Sequence, residues 1–131
     1  MMQELKEQEK QQLMFLSRGE KMINIVYSQK DYSLQIKGHS GYASAGNDIV
    51  CAGASTLLYT LCQTLLSLEH EKYYNAPPEM NIKSGDASVK CMPKNEYRHI
   101  IDNVFFTIMN GFELLESEYP NFVNIQFAKK L

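Results

Sequence analysis

Residues 32–61 read YSLQIKGHSGYASAGNDIVCAGASTLLYTL, a stretch that changes its period twice. Tyr32, Leu34 and Ile36 alternate with Ser33, Gln35 and Lys37, the two-residue period of a strand with one buried face. A loop with glycines at positions 38, 41 and 46 follows. Beyond it Val50, Ala54, Leu57, Leu61, Leu65 and Leu68 recur at helical spacing, with Asn47 or Asp48 placed to cap. A strand that feeds a helix through a glycine-rich loop sets the architecture. It also puts His39 at one end of the loop and Cys51 in the first turn of the helix.

Upstream, Ile23, Ile25 and Tyr27 alternate in MINIVYS, and the polar Gln29-Lys30-Asp31 joins this strand to the next. Downstream, Glu69 to Pro78 reads as a loop ending in Pro77-Pro78. EMNIKSGDASVKCM then predicts a hairpin turning at Gly85-Asp86. A second helix is expected from Asn95 to Tyr119, with Tyr97, Ile101, Val104, Phe105, Ile108, Phe112 and Leu115 as its apolar stripe and Pro120 as its stop. Val123, Ile125 and Phe127 alternate in a closing strand from Phe122 to Lys129. The expected fold is α+β, in the order ββαββαβ: one mixed sheet packed against two helices, both on one face.

The folding pattern begins at Met22, so the domain is expected to span residues 22–131. Residues 1–21 are charged and Gln-rich, with a short apolar cluster at Leu13–Leu16. They read as an N-terminal extension, either disordered or preceding a natural start at Met22. Arg18-Gly19-Glu20 can be encoded by a purine run resembling a ribosome-binding site. A chain of 131 residues with 44% hydrophobic and 21% charged residues suits one soluble globular domain. A net charge of −2 gives no electrostatic case for nucleic acid or an anionic membrane. No uninterrupted apolar run reaches the roughly 18 residues of a membrane span. Three cysteines without a CxxC pair fit a reducing cytoplasm better than a disulfide framework.

The chemistry concentrates between Gly38 and Ser55. A thiol in the first turn of a helix feels the positive end of the backbone dipoles, which favours thiolate. An imidazole nearby favours it further and can protonate a leaving group. Gly41 and Gly46 allow the loop to fold His39 back towards Cys51. Ala52, Gly53 and Ala54 leave room beside the thiol for a substrate backbone. Asp48 suits a helix start and could orient His39, yet its charge opposes a thiolate at Cys51. A lone helical cysteine is also commonly a small buried hydrophobe, so spacing alone leaves both readings open. The same loop imitates part of a phosphate-binding loop but carries Asn47 and Asp48 where Lys and Ser/Thr are needed. His39, Asp48 and Cys51 make at most three mixed ligands, so no metal site is expected.

Gly38-His39-Ser40-Gly41-Tyr42 followed by Gly46-Asn47-Asp48-Ile49-Val50-Cys51-Ala52-Gly53-Ala54-Ser55 resembles the signature of the ribosomal-processing cysteine protease family, Prp. The resemblance covers the chain from Met22 to Lys129. It implies a homodimeric, cofactor-free cysteine endopeptidase that removes an N-terminal extension from the large-subunit ribosomal protein L-twenty-seven. Cys51 would be its nucleophile and His39 its general base, with Asp48 and Ser55 in support. It also implies a loop, hinged at Gly38, Gly41 and Gly46, that moves to admit substrate. Two further readings stay open: a non-catalytic α/β dimer that binds a peptide or ribosomal protein, and a phage-type relative that trims a capsid or scaffold protein.

Overall fold

The computed structural model describes residues 21–44 and 46–128. The extension read over residues 1–21 lies outside them except for Lys21, as does Lys129. Strands β1 (Ile23–Ser28) and β2 (Ser33–Lys37) form the first hairpin, and helix α1 (Ile49–Ser67) follows the glycine-rich loop. A one-turn helix, α2 (His70–Tyr73), leads into β3 (Tyr74–Lys83) and β4 (Asp86–Pro93). A 3-10 turn (Asn95–Tyr97) opens α3 (Arg98–Glu118), and β5 (Val123–Phe127) closes the chain. The five strands stand in the order β3-β4-β2-β1-β5. All neighbours are antiparallel except β1 and β5, which run parallel and pair Ile23 with Val123, Ile25 with Ile125 and Tyr27 with Phe127. The sheet is therefore mixed, as expected.

Alternation decides which face is covered. Ile23, Ile25, Tyr27, Leu34, Ile36, Ala87, Val89 and Cys91 form one buried face, and α1 and α3 pack on it in a single core. The opposite face carries Gln35, Ser88 and Lys90, which water can solvate. On α1 the buried stripe is Val50, Ala54, Leu58, Leu61, Cys62 and Leu65, so Leu58 takes the core position expected of Leu57. Leu57 packs sideways instead, filling the notch over Gly111 of α3, while Leu115 of α3 lies over Gly53. A Cβ at Gly53 would sit 3.1 Å from Leu115 Cδ1. Gly53 therefore serves close helix packing rather than space beside the thiol. Its helix-propensity cost of about 1 kcal/mol is offset by this interdigitation.

Two boundaries differ from expectation. The segment read as a loop, Glu69–Pro78, folds as α2 and the first half of β3. Pro77 and Pro78 fit in β3 because it is an edge strand and its pairing with β4 is interrupted between Ala76 and Glu79, so neither missing N–H costs a ladder bond. The register shifts between Tyr74 and Ala76 and again between Ala76 and Glu79. Tyr74 then anchors the strand by donating its phenol to the Leu65 carbonyl at 2.8 Å. The hairpin turn is Ser84-Gly85 rather than Gly85-Asp86, because Asp86 already pairs with Lys83. Gly85 takes φ +71°, which glycine adopts at no steric cost.

Although it contains no unbroken apolar run of roughly 18 residues, α1 averages a hydropathy of 1.6 over an 18-residue window. By length and composition alone it could cross a bilayer. Here its apolar stripe is spent on the sheet and α3.

Candidate active site

The site grows from the end of β2. Gly38 has φ +94°, and a Cβ there would run into the Met22 carbonyl oxygen. Its N–H donates to the Gly85 carbonyl at 2.8 Å, tying the start of the loop to the tip of the β3–β4 hairpin. His39 follows, exposed, with its imidazole resting over that tip. A Cβ on Gly85 would lie only 2.6 Å from His39 Nε2. His39 makes no hydrogen bond to Cys51; Nε2 is turned to the hairpin.

Ser40 and Asp48 contact the cysteine instead. The Asp48 carboxylate caps α1: Oδ1 accepts from the N–H of Val50 at 3.0 Å and of Cys51 at 2.9 Å. Oδ2 accepts from the Ser40 hydroxyl and from the Ala43 N–H, the latter at 3.4 Å. Burial by itself would raise the Asp48 carboxyl, but the donated hydrogen bonds from Ser40, Cys51 and Ala43 outweigh it and hold the group below its ordinary value of 3.8. Cys51 is half-buried, its Sγ 3.5 Å from the Ser40 N–H and 3.6 Å from the Ser40 hydroxyl oxygen.

The sequence reading named His39, Asp48, Cys51 and Ser55 but not Ser40. No sequence signal marks it, since a serine between a histidine and a glycine is ordinary in a loop. Burial alone reveals its role.

The site opens into a cleft of about 860 Å³. His39, Asp48, Cys51 and Ser55 all face it, with Leu58, Tyr59 and Ile82 giving it an apolar wall. Gly38, Gly41 and Gly46 lie on its rim. Gly41 (φ +68°) backs onto the Lys21 side chain, whereas Gly46 (φ +88°) has open space around it. The loop is not free along its length, because Ser40 is buried and the Tyr42 ring packs edge-on against Tyr119 and Phe122 at 5.4 and 5.3 Å. Alanine at Gly46 is accordingly expected to cost only the left-handed backbone penalty, about 1–2 kcal/mol. Alanine at Gly41 should cost more, since Lys21 must also move. Thermal melts of the two single variants check the order. Among the described residues no group of three or more His, Cys, Asp or Glu side chains could hold a metal ion.

The three cysteines are free and differ sharply in environment. Burial pushes the Cys62 thiol up and the Cys91 thiol up to about 12. Iodoacetamide at neutral pH is expected to label Cys51 first, with Cys62 and Cys91 at least ~100-fold slower in the folded protein. Peptide mapping of a time course checks this. Equal labelling would mean that the cleft does not expose the thiol.

The fold and this cleft define a small α+β protein built around a cysteine in the first turn of a helix. The family model described as cysteine protease Prp matches residues 22–124, and the chain belongs to that family. Among curated proteins none matches the chain. Among solved structures, the essential ribosomal processing protease Prp from S. aureus, in complex with a covalently linked product peptide, is similar with a TM-score of 0.65 and 19% identity over 82% of this chain and 99% of that one. The same protease with a substrate peptide gives a TM-score of 0.60 and 18% identity over 82% and 99%. SMU.848 from Streptococcus mutans gives a TM-score of 0.60 and 22% identity over 86% and 98%. At these identities the likeness is one of fold.

Proposed function

We propose that the protein is a cysteine endopeptidase that removes the N-terminal extension of a ribosomal protein, with L-twenty-seven as its substrate. The observation that carries this reading is the position of Cys51: in the first turn of α1, half-buried, on the wall of an open cleft that His39 also lines. Family membership supports it, as does the fold shared with a ribosomal processing protease bound to a substrate peptide.

Cys51 Sγ attacks the scissile carbonyl carbon, forming the C–S bond as the carbonyl electrons move to oxygen. His39 takes the thiol proton and passes it to the leaving amine as the C–N bond breaks. Water, activated by the same imidazole, then hydrolyses the thioester. For this, His39 must leave its seat over Gly85. Its backbone is tied on both sides, through Gly38 to Gly85 and through Ser40 to Cys51. A side-chain rotation is therefore the shorter route than a hinge at Gly38. Asp48 acts by capping α1 and fixing Ser40. Ser55, one turn beyond Cys51 and facing the cleft, is available to the substrate backbone. Loop motion in this reading is confined to the exposed segment around Gly46.

The test is incubation with a peptide carrying the ribosomal extension, followed by mass spectrometry. Cleavage at one bond supports the reading, and an intact peptide removes it. The seat of the His39 imidazole over Gly85, without a hydrogen bond to Cys51, favours a second reading, a module that binds such a peptide without cutting it; a bound but uncut peptide is its signature. A capsid or scaffold peptide in parallel distinguishes a phage-type substrate.

A homodimer is part of the proposal, supported by exposed Tyr59, Leu66, Phe106 and Leu114 on α1 and α3, and sedimentation tests it. A reducing, cytoplasmic setting is supported by three free cysteines, two of them buried.

A further inference from the structure

We propose that Ser40 is a positioning residue for the Cys51 sulfur, its hydroxyl contacting both that sulfur and the Asp48 carboxylate. The assignment rests on the reading of Cys51 as the nucleophile.

Among the described residues Ser40 is the one fully buried polar side chain, 0% exposed, although it lies beside an open cleft. A buried hydroxyl is costly unless its hydrogen-bonding capacity is used. Here it is used, and every partner belongs to the site. The hydroxyl donates to Asp48 Oδ2. Its oxygen accepts from the Tyr42 N–H at 3.1 Å and lies 3.6 Å from Cys51 Sγ. The main-chain N–H of the same residue donates to that sulfur at 3.5 Å.

Two consequences follow for the sulfur. It meets an acceptor, the Ser40 oxygen, when it carries a proton, and a donor, the Ser40 N–H, when it does not. Both come from one residue, so the sulfur keeps its place when it ionises. The hydroxyl proton is meanwhile committed to Asp48, which dampens the negative charge nearest the sulfur. The carboxylate can then cap α1 without opposing the nucleophile it helps to place. With the hydroxyl removed, the N–H contact survives, but Asp48 loses the donor that draws on its charge beside the sulfur, and the thiolate is disfavoured.

The experiment uses the full chain and four forms: wild type, Ser40→Ala, Ser40→Thr and Ser40→Val. The readouts are the rate of Cys51 alkylation by iodoacetamide at neutral pH, and kcat and KM on the extension peptide. Ser40→Ala is expected to alkylate about tenfold more slowly and to lose a similar factor in kcat, with KM within about twofold of wild type. Ser40→Thr, which keeps the hydroxyl, should stay within about threefold of wild type, and Ser40→Val should follow the alanine variant. Threonine and valine share one outline, so that pair decides the matter even if Ser40→Ala fails to fold. Equal alkylation of the Thr and Val forms would overturn the assignment, as would a folded Ser40→Ala that alkylates at the wild-type rate. If wild type leaves the peptide intact while the alkylation order holds, the peptidase reading falls and the role of Ser40 stands.

Discussion

Replacing Cys51 with alanine is expected to reduce cleavage of the extension peptide by at least ~10³-fold while leaving the fold in place. The loss is large because no other side chain in the cleft can replace the sulfur. Cys62 lies on the buried face of α1 and Cys91 is buried in β4, both with thiols pushed up by burial. Burial favours the neutral thiol at both, and neither lines the cleft. The fold should survive because Cys51 is only half-buried and its sulfur makes weak hydrogen bonds. Alanine is also the better helix former at that position. Cys51→Ser keeps the shape with a poorer nucleophile and should retain little activity. Turnover by mass spectrometry beside a thermal melt checks both points. A Cys51→Ala protein that still cleaved would transfer the chemistry elsewhere.

The sequence and the structure agree where a pattern has one physical cause. The two-residue period in β1 and β2 and the helical stripes of α1 and α3 follow from burial of one face, so order and sheet type were legible; in β5 only Val123 is buried and Phe127 stays exposed. The fate of Glu69–Pro78 was not. Prolines normally argue against a strand, and the edge position of β3 together with the register shift between Ala76 and Glu79 makes them tolerable, a tertiary fact. Gly53 is a related case. A helical glycine beside a candidate nucleophile invites a functional reading, and the true reason, Leu115 of α3, lies sixty-two positions away.

At the site, the capping role of Asp48 and the cleft position of Cys51 could be read from spacing. The seat of the His39 imidazole could not, because it depends on the hairpin tip at Gly85. The place of Ser40 at the centre of the hydrogen-bond network was equally hidden. A serine next to a histidine is ordinary in a loop until its burial is known.

Removal of the Asp48 side chain should be the most destabilising side-chain truncation within the loop. In Asp48→Ala the N–H groups of Val50 and Cys51 lose their acceptor, which for an N-cap costs about 1–2 kcal/mol. The fully buried Ser40 hydroxyl loses the carboxylate it donates to, a further ~1–3 kcal/mol for a stranded buried polar group. Together these approach a third of the stability of an ordinary domain. Asp48→Asn should fall between: its side-chain oxygen still caps the helix, while its amide presents a donor where Ser40 needs an acceptor. The pH dependence separates the two causes. Because the folded-state carboxyl of Asp48 is held below 3.8, its ionisation stabilises the native state above that value. The contribution is lost as pH falls through the lower, folded value. The gap in stability between wild type and Asp48→Asn should therefore be constant at neutral pH and narrow progressively below about pH 4. Urea denaturation of the three proteins across pH 3–7 measures it. A gap that widens in acid would mean the carboxyl is raised, not lowered, by its surroundings, and the network would have to hold a neutral acid at the head of α1.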